Sequence, residues 1–144
     1  MKKSESIYGK IWESSLSGIY LLQNGVFQEV SPMATQVTGY RTEELIGTRA
    51  ESILYPDDRE SVQEKGRAML KGEHPSPYEF RIVTKQGDIR WVMETVTSTK
   101  YRKKPAILGN FMDITERKAV DNRLKESETL YRTIFETTGM ATII

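Results

Sequence analysis

Leu108-Gly109-Asn110-Phe111-Met112-Asp113-Ile114-Thr115-Glu116-Arg117-Lys118 reads as an apolar strand that passes without a break into a charged helix. Upstream of it, alternating strands and short glycine-terminated helices predict one small α+β domain that this strand completes. Downstream, the apolar spacing changes from a period of two to that of a helix seam. Val120, Leu124, Ser127, Tyr131 and Ile134 step by four and three residues in turn, the pattern of a left-handed coiled coil. Asp113 with Glu116, or Thr115 itself, suits the cap of this helix, and the residues do not choose between the two. A serine and a tyrosine weaken the seam, so a helix pair formed along it is expected to be marginal and able to shift register.

An internal echo divides the chain. Ser4-Glu5-Ser6-Ile7-Tyr8-Gly9-Lys10-Ile11-Trp12-Glu13-Ser14-Ser15 returns, register by register, as Ser127-Glu128-Thr129-Leu130-Tyr131-Arg132-Thr133-Ile134-Phe135-Glu136-Thr137-Thr138. Such a repeat points to tandem domains. The expected organisation is an N-terminal flanking helix over 1–15, a domain over 16–114, a linker helix over 115–136 and the opening of a second copy over 137–144.

Composition excludes several kinds of chemistry. The 144 residues include no cysteine, which removes disulfides, thiolate metal sites and cysteine nucleophiles. Lys and Arg total 21 against 20 Asp and Glu, a formal charge of +1, so there is no electrostatic footprint for nucleic acid. No apolar run approaches the roughly 20 residues that cross a bilayer, and the first residues lead into no signal-peptide core. A cytoplasmic location with no membrane contact in this stretch is expected. No Ser/His/Asp set, phosphate loop or metal-ligand cluster is apparent, which argues against an enzyme.

Taken in order, Ile7, Tyr8, Ile11 and Trp12 form the stripe of a short helix. Ile19 to Leu22 and Val26 to Val30 read as strands joined by Asn24-Gly25, a pair suited to a tight hairpin. Ser31-Pro32 starts a helix whose free amides the serine hydroxyl can cap, closing at Gly39. Thr42-Glu43-Glu44-Leu45-Ile46-Gly47 repeats that grammar, with Thr42 as cap. Asp57 or Asp58 can cap a longer helix with Val62, Gly66, Met69 and Leu70 on one side, ending at Gly72. Tyr78, Phe80, Ile82 and Thr84 alternate with polar neighbours as a strand does. Ile89 to Thr99 and Ala106 to Ile114 follow as longer strands, joined by the basic tip Lys100-Tyr101-Arg102-Lys103-Lys104, read as a solvated hairpin end. In the two long strands Trp91, Met93, Leu108 and Met112 oppose Val92, Val96, Ile107 and Phe111. Apolar residues on both faces require cover on both, and the N-terminal helix or a second subunit is expected over the outer one.

These marks together resemble the PAS sensor-domain family with its C-terminal PAC motif, over Ser4 to Lys118. They are Ala34 with Gly39-Tyr40, Thr42 to Gly47, Pro56-Asp57-Asp58-Arg59, Gly87 with Trp91-Val92, and Gly109 with Asp113 to Lys118. The resemblance implies a five-stranded antiparallel sheet with short helices on its concave face, as found in tandem in bacterial and archaeal sensor histidine kinases and other two-component phosphorelay proteins. Ser31 stands where the family commonly has asparagine, a change at the pocket edge. The flavin branch that senses light needs a cysteine after Gly47, and none exists. Haem-binding members place a histidine on the long helix, whereas His74 lies past its end beside Pro75 and also lacks the setting of a kinase phosphoacceptor.

Strand alternation and the family's geometry aim Tyr78, Phe80, Ile82, Val92, Val96, Ile107, Gly109 and Phe111 at a concave pocket, as core or as ligand contacts. Glu94 shares that face as the one charged candidate. If it is enclosed, a cationic or hydrogen-bonding ligand would offset its desolvation. The expected role is a non-catalytic sensory domain that binds an unidentified small molecule or cofactor. It would relay its state through Asp113 and Thr115 to a dimeric coiled coil and an output domain in cis. A ligand-free dimerisation module is the alternative. In either case a homodimer is expected through Ile7, Ile11, Trp12, Trp91, Met93, Leu108, Met112, Val120 and Leu124.

Overall fold

The computed structural model describes residues 7–73 and 77–138; His74, Pro75, Ser76 and the residues at 1–6 and 139–144 lie outside them. The chain divides into two compact units, Met1–Asp113 and Ile114–Ile144.

In the first unit, helix α1 (Ile7–Ser14) precedes the hairpin of β1 (Gly18–Gln23) and β2 (Val26–Val30). Asn24 and Gly25 make its turn with φ of 54° and 78°, as the Asn-Gly pair requires. Helices α2 (Pro32–Thr38) and α3 (Thr42–Leu45), two 3-10 turns (Ala50–Ile53 and Pro56–Asp58) and α4 (Arg59–Leu70) follow. Strands β3 (Tyr78–Val83), β4 (Ile89–Tyr101) and β5 (Lys104–Asp113) complete the unit. The strands form one sheet in the order β2-β1-β5-β4-β3, with each neighbouring pair antiparallel. β5 thus sits at the centre, between the first hairpin and the last pair.

Register places Tyr20 opposite Gly109 and Gly18 opposite Phe111. Each glycine leaves room for an aromatic ring: a Cβ on Gly109 would collide with the Tyr20 ring, and one on Gly18 with Phe111. Two glycine–aromatic pairs of opposite sense therefore clamp β1 to β5. Tyr20, Phe27, Val30, Leu45, Phe80 and Val92 contribute to a buried core on the concave side.

The segment between α3 and α4 is strapped across that side by its backbone. At the β2 edge, Phe27 N–H donates to Thr48 O at 2.9 Å and Ala50 N–H to Gly25 O at 2.9 Å, while at the β3 edge Tyr55 N–H reaches Arg81 O at 3.0 Å. Past the end of β3, Val96 N–H is left without a strand partner and donates to Met69 Sδ on α4 at 3.2 Å. Buried backbone donors demand such acceptors.

The expected caps differ from those observed: at Ser31 and Asp58 partners distant in sequence outcompete the local helix amides, and at α3 the cap position moves one residue earlier. Ser31 Oγ does not cap α2. It accepts Ile19 N–H at 2.9 Å, while Ser31 N–H donates to Ile19 O at 2.8 Å, which extends the hairpin ladder by one fully buried residue. Ser31→Ala is therefore expected to lower the unfolding free energy by about 1–2 kcal/mol in urea denaturation. A change within 0.3 kcal/mol or so would show that this bond contributes nothing net. Thr42 is the first residue of α3 rather than its cap. Arg41 occupies the cap position, and its N–H donates back to Glu44 Oε1 at 3.0 Å. Asp58 precedes α4 but makes no side-chain cap bond to it. Its carboxylate instead accepts Arg81 N, Nε and NH2 at 2.8, 3.0 and 2.6 Å, and these hydrogen bonds hold its pKa below the ordinary value.

The basic tip is a tighter hairpin than expected, because pairing continues to Tyr101 opposite Lys104 and leaves only Arg102 and Lys103 in the turn, at φ of 52° and 66°. Helix α1 packs beside α2, and on the outer sheet face Leu108 and Met112 are 37% and 46% exposed.

The second unit is the helix α5 (Thr115–Thr138), 24 residues or about 36 Å at the usual rise. Thr115 is its first residue, and Lys118 N–H closes the first turn onto Ile114 O at 2.9 Å. Val120, Leu124 and Tyr131 of the seam are exposed.

Candidate functional site

A cavity of about 380 Å³ opens between the concave sheet face and the strapped helices. Its walls are mostly apolar, as a small-molecule site of this size requires. Of the residues expected there, Phe80, Ile82, Val92, Glu94, Val96, Ile107 and Phe111 line it. Tyr78 and Gly109 do not belong to the lining. Tyr78 is buried with its hydroxyl turned to Glu94, and the Tyr20 ring lies over Gly109. Tyr20, Leu22, Phe27, Val30 and Leu54 also line it, in addition to the expected residues of β3, β4 and β5. A partial signal existed in the Tyr20/Leu22 alternation on β1. Val62, Gly66 and Leu70 line the cavity from α4, at the four-residue spacing that marked one side of that helix.

Glu94 is enclosed, at 5% exposure. Register explains how it is reached by two phenols. Glu94 lies opposite Phe111 on one side and Tyr78 on the other, while Tyr20 comes across β5 over the bare backbone of Gly109. The Tyr20 hydroxyl donates to Glu94 Oε1 and the Tyr78 hydroxyl to Glu94 Oε2, the latter at 2.7 Å. Burial pushes the carboxyl up to about 7, against the opposing pull of the two phenol hydrogen bonds. The same burial, with the nearby carboxylate, drives the ionisation of both tyrosines upward. Each Glu94 oxygen has a protein partner, so no ligand is needed to relieve its burial. The hydrogen bonds for which a cationic or hydrogen-bonding ligand is one expected source come here from the two phenols.

Of the remaining polar lining residues Thr38 is buried, while the exposed Arg49, Gln63 and Arg67 and the half-buried Glu51 stand at the mouth. Arg49 Nε donates to Glu51 Oε1 at 3.1 Å and Gln63 Nε2 to Glu51 Oε2 at 3.3 Å. Among the described residues there is no group of three or more His, Asp or Glu able to hold a metal ion.

Chain residues 27–109 match the family model described as the PAS fold, more than half of the sequence. The chain belongs to the PAS fold family. The PAS domain is 30% identical over 114 residues to an uncharacterised Sinorhizobium fredii protein, y4lL, covering 77% of this chain and 14% of that one. It is 38% identical over 69 residues to a blue-light-activated histidine kinase of Brucella ovis, covering 48% and 14%. It therefore spans about one seventh of the length of these relatives. A sensory box histidine kinase/response regulator structure from Burkholderia thailandensis superposes with a TM-score of 0.65 at 25% identity, covering 88% of this chain and 98% of that one. A PAS domain from Colwellia psychrerythraea gives 0.66 at 20% identity, covering 74% and 93%.

The other candidate residues fall in three places. Trp91, Met93, Leu108 and Met112 share the outer face of the PAS sheet, where Met93 pairs with Met112. Trp91 is half-buried, with the Arg81 guanidinium 5.4 Å from its ring centroid. Ile7 opens α1, which also carries exposed Ile11 and half-buried Trp12. Asp113 ends β5, its Oδ2 3.4 Å from Arg90 NH1, and Thr115 opens α5, which carries exposed Val120 and Leu124. Among the described residues no helix is long and apolar enough to cross a membrane.

Proposed function

We propose that this PAS domain is a non-catalytic sensory module that takes a small molecule into its concave cavity. The observation that carries the reading is the cavity itself: a domain evolved only to pack would fill about 380 Å³ with side chains. Occupancy biases β5, whose Phe111 lines the cavity and whose last residue is Asp113. Asp113 and Thr115 pass that bias to α5, whose exposed Val120 and Leu124 pair with a second copy, and so to an output domain in cis. Relay requires a ligand that distinguishes two arrangements of the linker, since equal affinity for both shifts nothing. On this reading the domain works in the cytoplasm as part of a longer signalling protein, and a second PAS repeat begins at about residue 137. Blue-light activation is not carried over from the Brucella kinase. The chain has no cysteine with which a flavin adduct could form.

Native mass spectrometry of the purified protein, with a thermal-shift screen against a broad metabolite panel, tests this. A bound mass, or a rise of several degrees with one compound class, is expected. No bound mass and no shift across the panel would remove the sensory reading. The exposed Leu108 and Met112 favour a second reading, a ligand-free dimerisation module. Sedimentation equilibrium separates the two: a monomer at high concentration eliminates that module, and a dimer indifferent to every panel compound favours it.

A further inference from the structure

The cavity has a charge polarity that selects how a ligand lies in it. At the enclosed end stands Glu94, with both oxygens held by Tyr20 and Tyr78. That carboxyl offers nothing to an anion and, once ionised, repels one. At the mouth the sign reverses. Glu51 is engaged by Arg49 and Gln63, and the exposed guanidinium of Arg67 has no hydrogen-bonded or ion-paired partner among the described residues. Arg67 sits one position after Gly66 and three before Leu70 on α4, and all three face the cavity. Between the two ends the wall is formed by side chains such as Leu54, Val62 and Ile82, which suit a hydrocarbon body.

The geometry points to an amphiphilic monocarboxylate as the ligand class, its apolar tail in the cavity and its carboxylate on Arg67 at the mouth. This rests on the reading that the cavity admits a small molecule, and it adds which chemistry is admitted and in what orientation. A planar guanidinium presents paired N–H donors to a carboxylate in a geometry no alcohol or amine can use. A protonated amine would meet Arg67 as a like charge on entry. A neutral alcohol would gain the apolar contacts but forgo the charged one.

Isothermal titration calorimetry with decanoate, decanol and decylamine holds the tail constant and changes only the head. Decanoate is expected to bind about ten-fold tighter than decanol, and decylamine weaker than both. Arg67→Ala should remove the preference for decanoate while leaving decanol within about two-fold, and Arg67→Lys should restore part of it. Arg67 is exposed, so the melting temperature of the unliganded variant is expected to stay at the wild-type value. Decanol or decylamine binding as tightly as decanoate, or decanoate binding untouched by Arg67→Ala, would overturn the head-group assignment and leave small-molecule sensing standing. If none of the three binds while other panel compounds do, the carboxylate proposal alone falls. If nothing binds at all, both fall.

Discussion

Gly109→Ala is expected to lower the unfolding free energy by about 3 kcal/mol and the melting temperature by about 10 °C, at the upper end of what a single added methyl does. The added Cβ would enter the space of the Tyr20 ring, and neither side can yield easily. β5 is the central strand, paired on both edges, and the ring is held at its far end by the Tyr20 hydroxyl on Glu94 and along its side by Phe27 and Phe111. Asn110→Ala, next along the strand with its side chain exposed on the outer face, is the control and should stay within about 0.5 kcal/mol. Truncating the ring removes the collision, so Gly109→Ala should cost much less in a Tyr20→Ala background, a coupling that a double-mutant cycle measures. Additive costs would mean that the ring does not rest on the glycine.

Replacing Glu94 tests the polar knot. Glu94→Ala strands two buried phenol hydroxyls and is expected to lose about 3 kcal/mol, whereas Glu94→Gln keeps an acceptor for one phenol and a donor toward the other. The pH dependence follows from the raised pKa of about 7 against an ordinary 4.5. The folded state holds the proton more tightly than the unfolded chain does. The stabilisation this supplies is complete below the unfolded value of about 4.5 and disappears as pH rises through about 7. Over that window the wild type should lose on the order of 3 kcal/mol relative to Glu94→Gln, which does not titrate there. Glu44, lowered to about 2 by its hydrogen bond with Lys85, and Asp58, lowered by Arg81, act in the opposite sense. Their stabilisation is present above the unfolded carboxylate values and fades as pH falls, equally in both proteins, so it cancels in the difference. Melting temperatures of the two proteins compared from pH 5 to pH 8 or so read the effect directly. A constant gap would mean that Glu94 is not desolvated.

Much of the architecture was legible because it depends on local periodicity. The two-residue alternation of Tyr78, Phe80 and Ile82 placed their side chains on one face, and Asn24-Gly25 marked a turn that few other pairs adopt. The caps were less legible. Ser31, Thr42 and Asp58 each have chemistry suited to a helix start, yet Ser31 and Asp58 serve strand residues, Ile19 and Arg81, distant in sequence. Sequence identifies an oxygen able to accept a bond; it does not rank the donors that folding brings near. The site shows the same division. Seven of its wall residues follow from alternation along β3, β4 and β5, while the contributions of β1, β2 and the strap at Arg49 and Leu54 depend on how far that strap reaches across the sheet.

By itself, the sequence determined the family, the strand faces and the absence of thiol chemistry, since each is a property of residue type and spacing along the chain. Only the tertiary structure decided that Glu94 is enclosed yet satisfied, that Gly109 exists to admit the ring of Tyr20, and that Arg67 is left facing the cavity mouth. Those outcomes depend on residues far apart in sequence meeting across antiparallel strands, where register and burial, rather than local preference, set which groups touch.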